Sequence, residues 1–348
     1  MVEHIISGNG DIILVFHDGP SSQAGSSIDK DDVRIRVHSA VLSRHSPVFN
    51  AMLNNHALAE SVALRTHGHV TIPMPDDDAA SFLIVMSMIH GKAAIVPEQV
   101  SLRMLSRLAT VVDKFDFHEA VQVQMEKWIS YLYRSMPTFL NHDLTSWIWI
   151  SYVFRMSEAF KTLTAIAQRQ SKGPIDAPEL ISYEVPLPTS IVDAISSRRL
   201  RAISRIQSTL ELEWQRSRPL MNTSPIVAPQ VDLDIDKAFR FGMVCHLSAA
   251  LGIPIGEDAA EDAATFEGVS FQDLSMQIRS LKVDQWRASD GDPNPLVYTS
   301  PLQMFTSQLM TLTSKKPPAQ QGIGEALRMV VEELEAEEWG LRLEDARM

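Results

Sequence analysis

Residues 37–53 read VHSAVLSRHSPVFNAML, and this stretch decides the fold of the first part of the chain. Its apolar positions have the spacing of two short helices. Pro47 separates the two, because proline lacks the backbone N–H that a helix interior needs, and Ser46 before it predicts the start of the second helix. We therefore expect a small helical cluster with a core formed by Leu42, Val48, Phe49 and Leu53.

Strands are predicted on both sides of this stretch. The run from Asp11 to Phe16 is short, β-branched and mostly apolar, which is typical of a strand buried on both faces. Val33 to Val37 alternates apolar and charged residues, which predicts a strand with one solvated face and a hairpin with the first strand. A third brief strand is predicted at 70–73, and helices are predicted at 79–90, 101–114 and 119–133. This order of elements predicts an α+β fold.

The second half of the chain carries few strand signals. Aromatic residues crowd 144–168, so we expect that segment to be buried, and further helices are predicted over 191–218, 239–251 and 324–342. Prolines forbid a continuous helix near 173–188 and break the pattern again near 219–230. The predicted organisation is a first domain over 1–135 and a mainly α-helical region over 136–348.

The composition excludes several classes of function. A formal net charge of -12 over 348 residues disfavours general binding to nucleic acids or to anionic bilayers. The single cysteine, Cys245, can form no internal disulfide, which favours the cytosol or the nucleus. We find neither a secretory signal pattern nor an apolar run of membrane-spanning length, so we expect no membrane association.

The search for reactive groups returns weak candidates. The sequence contains no glycine loop for phosphates, no nucleophile elbow and no zinc-hydrolase motif. We interpret His67 and His69 as part of a polar loop rather than a metal site, and residues 76–78, three aspartates, as helix-capping groups. His90 adjoins a turn and is expected to face solvent.

An enzymatic alternative would use Cys245 with His246, or the aromatic residues around Trp147. We interpret Cys245 instead as a small buried side chain, because no strongly cationic neighbour would lower its pKa. The basic segment 197–205 and the acidic run 332–338 are interpreted as solvated or salt-bridged helix surfaces. We therefore predict no enzyme and no catalytic, cofactor-binding or metal site.

The quoted stretch resembles the strand-to-helix hallmark of BTB/POZ domains. The pattern in that family is a histidine, then Val-Leu, then Ser-Pro-x-Phe, and here it is carried by His38, Leu42, Ser46, Pro47 and Phe49. The order of elements from about residue 8 to 133 is also similar to that of the family. The resemblance implies a protein-recognition fold that often dimerises and has no cofactor.

The resemblance also implies candidate partner-binding residues. Asp11 matches the acidic residue of the family's first strand, but Ser39 stands where many transcription-factor members carry Lys or Arg, which places a charged co-repressor pocket in doubt. Leu58 and Glu60 resemble a short element by which some members bind a cullin. Residues 268–286 look like the C-terminal region of long fungal members.

We therefore expect a non-enzymatic scaffold or adaptor in the cytoplasm or nucleus that binds protein partners. Among these partners we consider a second copy of the chain, which would form a homodimer, and a cullin. The alternatives are a substrate adaptor of a cullin-type ubiquitin ligase and a transcription regulator that acts through a partner.

Overall fold

The computed structural model describes residues 2–16, 32–175, 185–218, 235–256, 266–281 and 322–347. It divides into two compact units. The first comprises Met1–Thr164, Asp176–Val192 and Gly340–Met348, and the second comprises Ala165–Ile175 and Asp193–Trp339. The predicted break at 219–230, residues 176–184 of the predicted break at 173–188, and residues 282–286 of the segment that resembles fungal members lie outside the described residues.

The first unit contains a small mixed sheet of β1 (Val2–Ile5), β2 (Ile12–Phe16), β3 (Val33–Val37) and β4 (Val70–Met74) in the order β1-β3-β2-β4. β2 and β3 are antiparallel, with Ile12 opposite Val37, which confirms the predicted pairing. β1 and β4 run parallel to β3 and β2, respectively. The sequence did not predict β1, because its four residues are mainly exposed and show no alternation of buried and solvated positions.

Six helices surround this sheet: α1 (Ser39–His45), α2 (Pro47–Asn54), α3 (Ala59–His67), α4 (Ala79–Ile89), α5 (Leu102–Phe115) and α6 (His118–Leu132). All but α3 were predicted. The α3 helix buries a single residue, Ser61, so it lacks the apolar stripe by which a helix is recognised in a sequence. Gly68, in the left-handed conformation with φ 73°, ends it.

Phenylalanine rings form the centre of this domain, where Phe49 stacks on Phe115 and Phe82 meets Phe115 edge-on. The ring of Phe115 lies 5.0 Å from that of Phe49 and 5.1 Å from that of Phe82. Ser46 joins these residues, because its Oγ accepts the N–H of Phe49 at 3.0 Å and donates to the carbonyl of Phe115 at 2.6 Å. The predicted start of α2 at Ser46 and Pro47 is therefore confirmed.

One predicted core residue is wrong. Val48 is 38% exposed, whereas Leu42 and Phe49 are fully buried and Leu53 is 4% exposed. Adjacent positions in a helix point in different directions, so the burial of Phe49 turns Val48 outward.

The first compact unit extends beyond residue 135 to Thr164, and the domain boundary near residue 135 stays a prediction. Helix α7 (Leu144–Val153) packs against α5, with Trp147 fully buried and the indole N–H of Trp149 donating to Thr110 Oγ1 at 3.2 Å. The aromatic segment continues into α8 (Ser157–Gln170), and Arg155 between the two helices adopts φ 56°. The aromatic side chains of α7 complete the core of the first unit.

The second unit contains most of α9 (Thr189–Ser217) and the helices α10 (Ile235–Leu251), α11 (Phe271–Ser280) and α12 (Ile323–Ala336). The prediction that the second half of the chain is mainly helical is therefore confirmed. Ile203, Ile206 and Leu210 are completely buried on α9. Phe271 stacks on Trp339 with 4.7 Å between ring centroids. Among the described residues, no helix is long and apolar enough to span a membrane.

The two charged runs of the second unit pair with each other. Arg198 contacts Glu337 at 2.7 Å and Arg205 contacts Glu333 at 2.8 Å. Arg199, by contrast, is only 2% exposed, so the expectation that the whole basic segment is a surface is wrong for this residue. Its guanidinium donates to backbone carbonyl oxygens of Lys172, Phe266 and Val269.

Candidate functional site

Three consecutive backbone N–H groups at the start of α1 donate to side chains. The N–H of His38 donates to Nε2 of His90 at 3.2 Å, that of Ser39 to Oδ1 of Asp11 at 2.7 Å, and that of Ala40 to Nδ1 of His38 at 3.2 Å. A helix leaves its first N–H groups without partners inside the helix. The three side chains therefore satisfy the start of α1 and join it to β2 and to the end of α4. We call this set, Asp11, His38, Ser39, Ala40 and His90, the α1 junction.

Asp11 is engaged within the domain on both carboxylate oxygens. Besides the Ser39 N–H, it accepts the hydroxyl hydrogen of Ser39 on Oδ2 at 2.6 Å. Ser39 thus uses the carboxylate that a Lys or Arg at position 39 would pair with. The role of Asp11 in partner binding stays a prediction, and the geometry gives it a structural role.

His90 does not face solvent as the sequence predicted. It is half-buried, its Nδ1 lies 2.9 Å from the carbonyl oxygen of Met86, and its Nε2 accepts from His38. Burial lowers the pKa of His90, and the nearby His38, His45 and Lys92 lower it further, against the raising effect of the Met86 carbonyl. A sequence gives little sign of such a contact, because 52 residues separate His38 from His90.

Of the three aspartates at 76–78, the structure confirms the predicted capping role for Asp78. Asp78 caps the helix by accepting the Ser81 N–H at 2.8 Å and also pairs with Arg107 at 2.9 Å. Asp77 pairs with Lys114 at 2.8 Å. His67 and His69 are exposed and bond to nearby backbone carbonyls. In the part of the chain that the structure describes, no cluster of three or more His, Cys, Asp or Glu side chains could hold a metal ion.

The beginning of α3 presents apolar side chains to solvent. Leu58 is the residue before the first turn and is 39% exposed, and Val62, one helical turn later, is 45% exposed. Residues four apart lie on one face of a helix, so the two side chains form a short stripe. Glu60, in the first turn between them, is partly exposed. We call Leu58, Glu60 and Val62 the α3 patch, of which sequence reasoning missed Val62.

The residues of the enzymatic alternative lack the environment of a reactive site. Cys245 is half-buried, rather than fully buried as expected, and burial raises the pKa of its thiol. A raised pKa lowers the fraction of thiolate, which is the form that acts as a nucleophile. Trp147 is fully buried in the first unit.

Comparison with known families agrees with the geometry. Residues 26–132 match the protein family described as BTB/POZ domain. The chain therefore contains a BTB/POZ domain, a non-enzymatic class of protein-interaction module. The match begins after β1 and β2, although both belong to the same sheet.

No curated protein matches the chain. The resemblance to long fungal members and a fungal source accordingly stay predictions.

Proposed function

We propose that the protein is a non-enzymatic scaffold or adaptor that binds protein partners through its BTB/POZ domain. The observation that carries this proposal is the α3 patch, in which two aliphatic side chains stand in solvent one turn apart, within a domain of a protein-interaction family. Its lone cysteine is compatible with a cytoplasmic or nuclear location.

Burial of the α3 patch alone contributes only a modest binding free energy, so a partner must bury additional surface. Complete burial of an aliphatic side chain contributes about 1.5–3 kcal/mol, of which Leu58 and Val62 can supply only the part still exposed. A stable interface buries about 1,000 Å² or more in total. A partner must therefore also cover the surface around α3, with the patch near the centre of the contact.

The α3 patch can be tested by comparing recovered partners. Affinity purification of the full chain with mass spectrometry should recover proteins that are absent when Leu58→Ala and Glu60→Ala are combined. A matched control is Glu119→Ala with Val123→Ala, since both residues are exposed and lie one turn apart on α6 of the same domain. Equal recovery with both variants would remove the α3 patch from the proposal.

The Leu58–Glu60 pair also favours a more specific candidate, a substrate adaptor of a cullin-type ubiquitin ligase. It rests on the resemblance of these residues to a cullin-binding element and on the accessibility of Leu58. The same purification distinguishes it, because a cullin should be recovered with the control variant and lost with the α3 variant. Absence of a cullin from every sample would leave the general scaffold as the proposal.

The remaining partner that we propose is a second copy of this chain, because some BTB/POZ domains dimerise. Light scattering with size-exclusion chromatography measures its mass directly. A mass of about twice 38.8 kDa is expected, and a single-chain mass at tens of micromolar would contradict the dimer. A transcription regulator would require a DNA-binding partner, which the purification would also recover.

A further inference from the structure

Each imidazole acceptor at the α1 junction works only while the accepting nitrogen carries no proton. An imidazole nitrogen that accepts an N–H hydrogen bond carries no proton, and His38 and His90 each use one nitrogen in this way. A carboxylate accepts from two donors when it is ionised, as Asp11 does from Ser39. The N–H groups of His38 and Ala40 are therefore satisfied only while the accepting nitrogens, Nε2 of His90 and Nδ1 of His38, carry no proton.

The contacts of His90 fix its tautomer. Nε2 accepts from the backbone of His38, so the hydrogen of the neutral ring must lie on Nδ1, where the Met86 carbonyl oxygen accepts it. A second proton could only bind Nε2. It would then point at the N–H hydrogen of His38, and two donors would face each other across 3.2 Å.

The α1 helix depends on these contacts more than its neighbours do. Only Leu42 is fully buried among its seven residues. The adjoining α2 is held by Phe49 in the phenylalanine stack, and its own start is capped by the hydroxyl of Ser46. A hydroxyl does not change charge on mild acidification, so α2 keeps its cap when α1 loses its acceptors.

We propose that the α1 junction is an acid-sensitive latch: protonation of His90 on Nε2 removes the acceptor of the His38 N–H at the start of α1 and releases α1 locally while the phenylalanine core stays folded. The latch is closed near neutral pH and opens as the pH falls below the ordinary range of histidine. The proposal is independent of the identity of the partner.

The charges around His90 support this direction. His38 and His45 from the start and end of α1, and Lys92 beyond α4, act on the ring and disfavour a further positive charge. Charged groups on other elements that pack near α4 have partners of their own: Arg107 with Asp78, Lys114 with Asp77, His118 with Asp116, and Arg36 with Glu3. Once His90 is protonated, its ring also repels Lys92, which makes the closed junction less stable.

Hydrogen exchange on the full chain tests the latch. Wild-type protein is compared with a variant that combines His38→Asn and His90→Gln, because both amides keep an acceptor oxygen and neither titrates. After correction for intrinsic exchange rates, the protection of peptides from α1 should fall about tenfold in the wild type between about pH 7 and about pH 5.5. The double variant should lose less than about twofold, and peptides from α5 should stay protected in both.

Two further measurements keep the test decisive. His56→Gln removes an exposed histidine and should leave the wild-type pH response of α1 intact. Long-range proton–nitrogen NMR of histidine-labelled wild-type protein, which has 11 histidines, should show His90 neutral with its hydrogen on Nδ1 at pH 7. The latch is overturned by a hydrogen on Nε2, or by the same loss of α1 protection in wild type and double variant.

Discussion

Replacing Arg199 by alanine should destabilise the second unit by about 3 kcal/mol. The guanidinium is 2% exposed and donates to the carbonyl oxygens of Lys172, Val269 and Phe266. Its removal leaves three carbonyl oxygens without this donor, at a cost of roughly 1 kcal/mol each. Burial disfavours the charged form of Arg199 and lowers its pKa. The substitution therefore also removes the cost of desolvating this charge, and that gain offsets part of the loss of side-chain packing.

Native-state hydrogen exchange of α9 peptides in the full chain measures this loss separately from the first unit. Arg201→Ala is the matched control, since Arg201 is exposed on the same helix two residues later and should change the free energy of opening by less than about 0.5 kcal/mol. Arg199→Lys should fall between the two, because an ammonium keeps the charge but lacks the planar fork that reaches several carbonyls. If the free energy of opening of α9 is the same in the Arg199→Ala and Arg201→Ala variants, the contacts of Arg199 with the carbonyl oxygens contribute nothing to stability and the reasoning fails.

Further predictions concern the first unit. The pKa of His90 is lower in the folded protein than the ordinary value of 6.5, so the unfolded chain binds the proton first as the pH falls below 6.5. The contribution of His90 to the stability of the fold is therefore complete above pH 6.5 and is lost on acidification. The free energy of unfolding should then fall by up to about 1.4 kcal/mol per pH unit more in wild type than in His90→Gln, and equal slopes in urea titrations would refute this. Phe49→Ala should cost about 3–5 kcal/mol, whereas Val48→Ala, at an exposed site, should cost less than about 1 kcal/mol in the same titrations. Ser46→Ala removes both a helix cap and the donor to Phe115 and should cost about 2 kcal/mol; an unchanged thermal midpoint would contradict the role given to its hydroxyl.

The sequence predicted the first domain well where local signals and buried packing coincide. Ser46 and Pro47 set the start of α2 by their own chemistry, and Phe49, a large apolar side chain, is fully buried as predicted. The sheet pairing of β2 with β3 followed from two short runs of strong strand formers. Such features depend on residues close together in the chain.

The features that were missed depend on residues far apart or on exposed surfaces. Helix α3 has almost no buried face, so periodicity could not reveal it or the exposure of Val62. His90 acquires its role from His38, and Arg199 from Val269, 70 residues away. A basic residue within a charged run looks solvated until the carbonyls that enclose it are known.

The motif at residues 37–53 thus contains two helices that are stabilised by different physics. Helix α2 is held by a stack of phenylalanine rings and a hydroxyl cap, neither of which changes charge on mild acidification. Helix α1 is held at its start by two imidazoles and a carboxylate, and the imidazole of His90 satisfies the His38 N–H only while its Nε2 carries no proton. Because α2 has its own hydroxyl cap and its own ring contact, we expect α2 and β4, the elements on both sides of the α3 patch, to stay folded when α1 opens. Acid would therefore alter one surface of the BTB/POZ domain and spare the surface that we propose for partner binding.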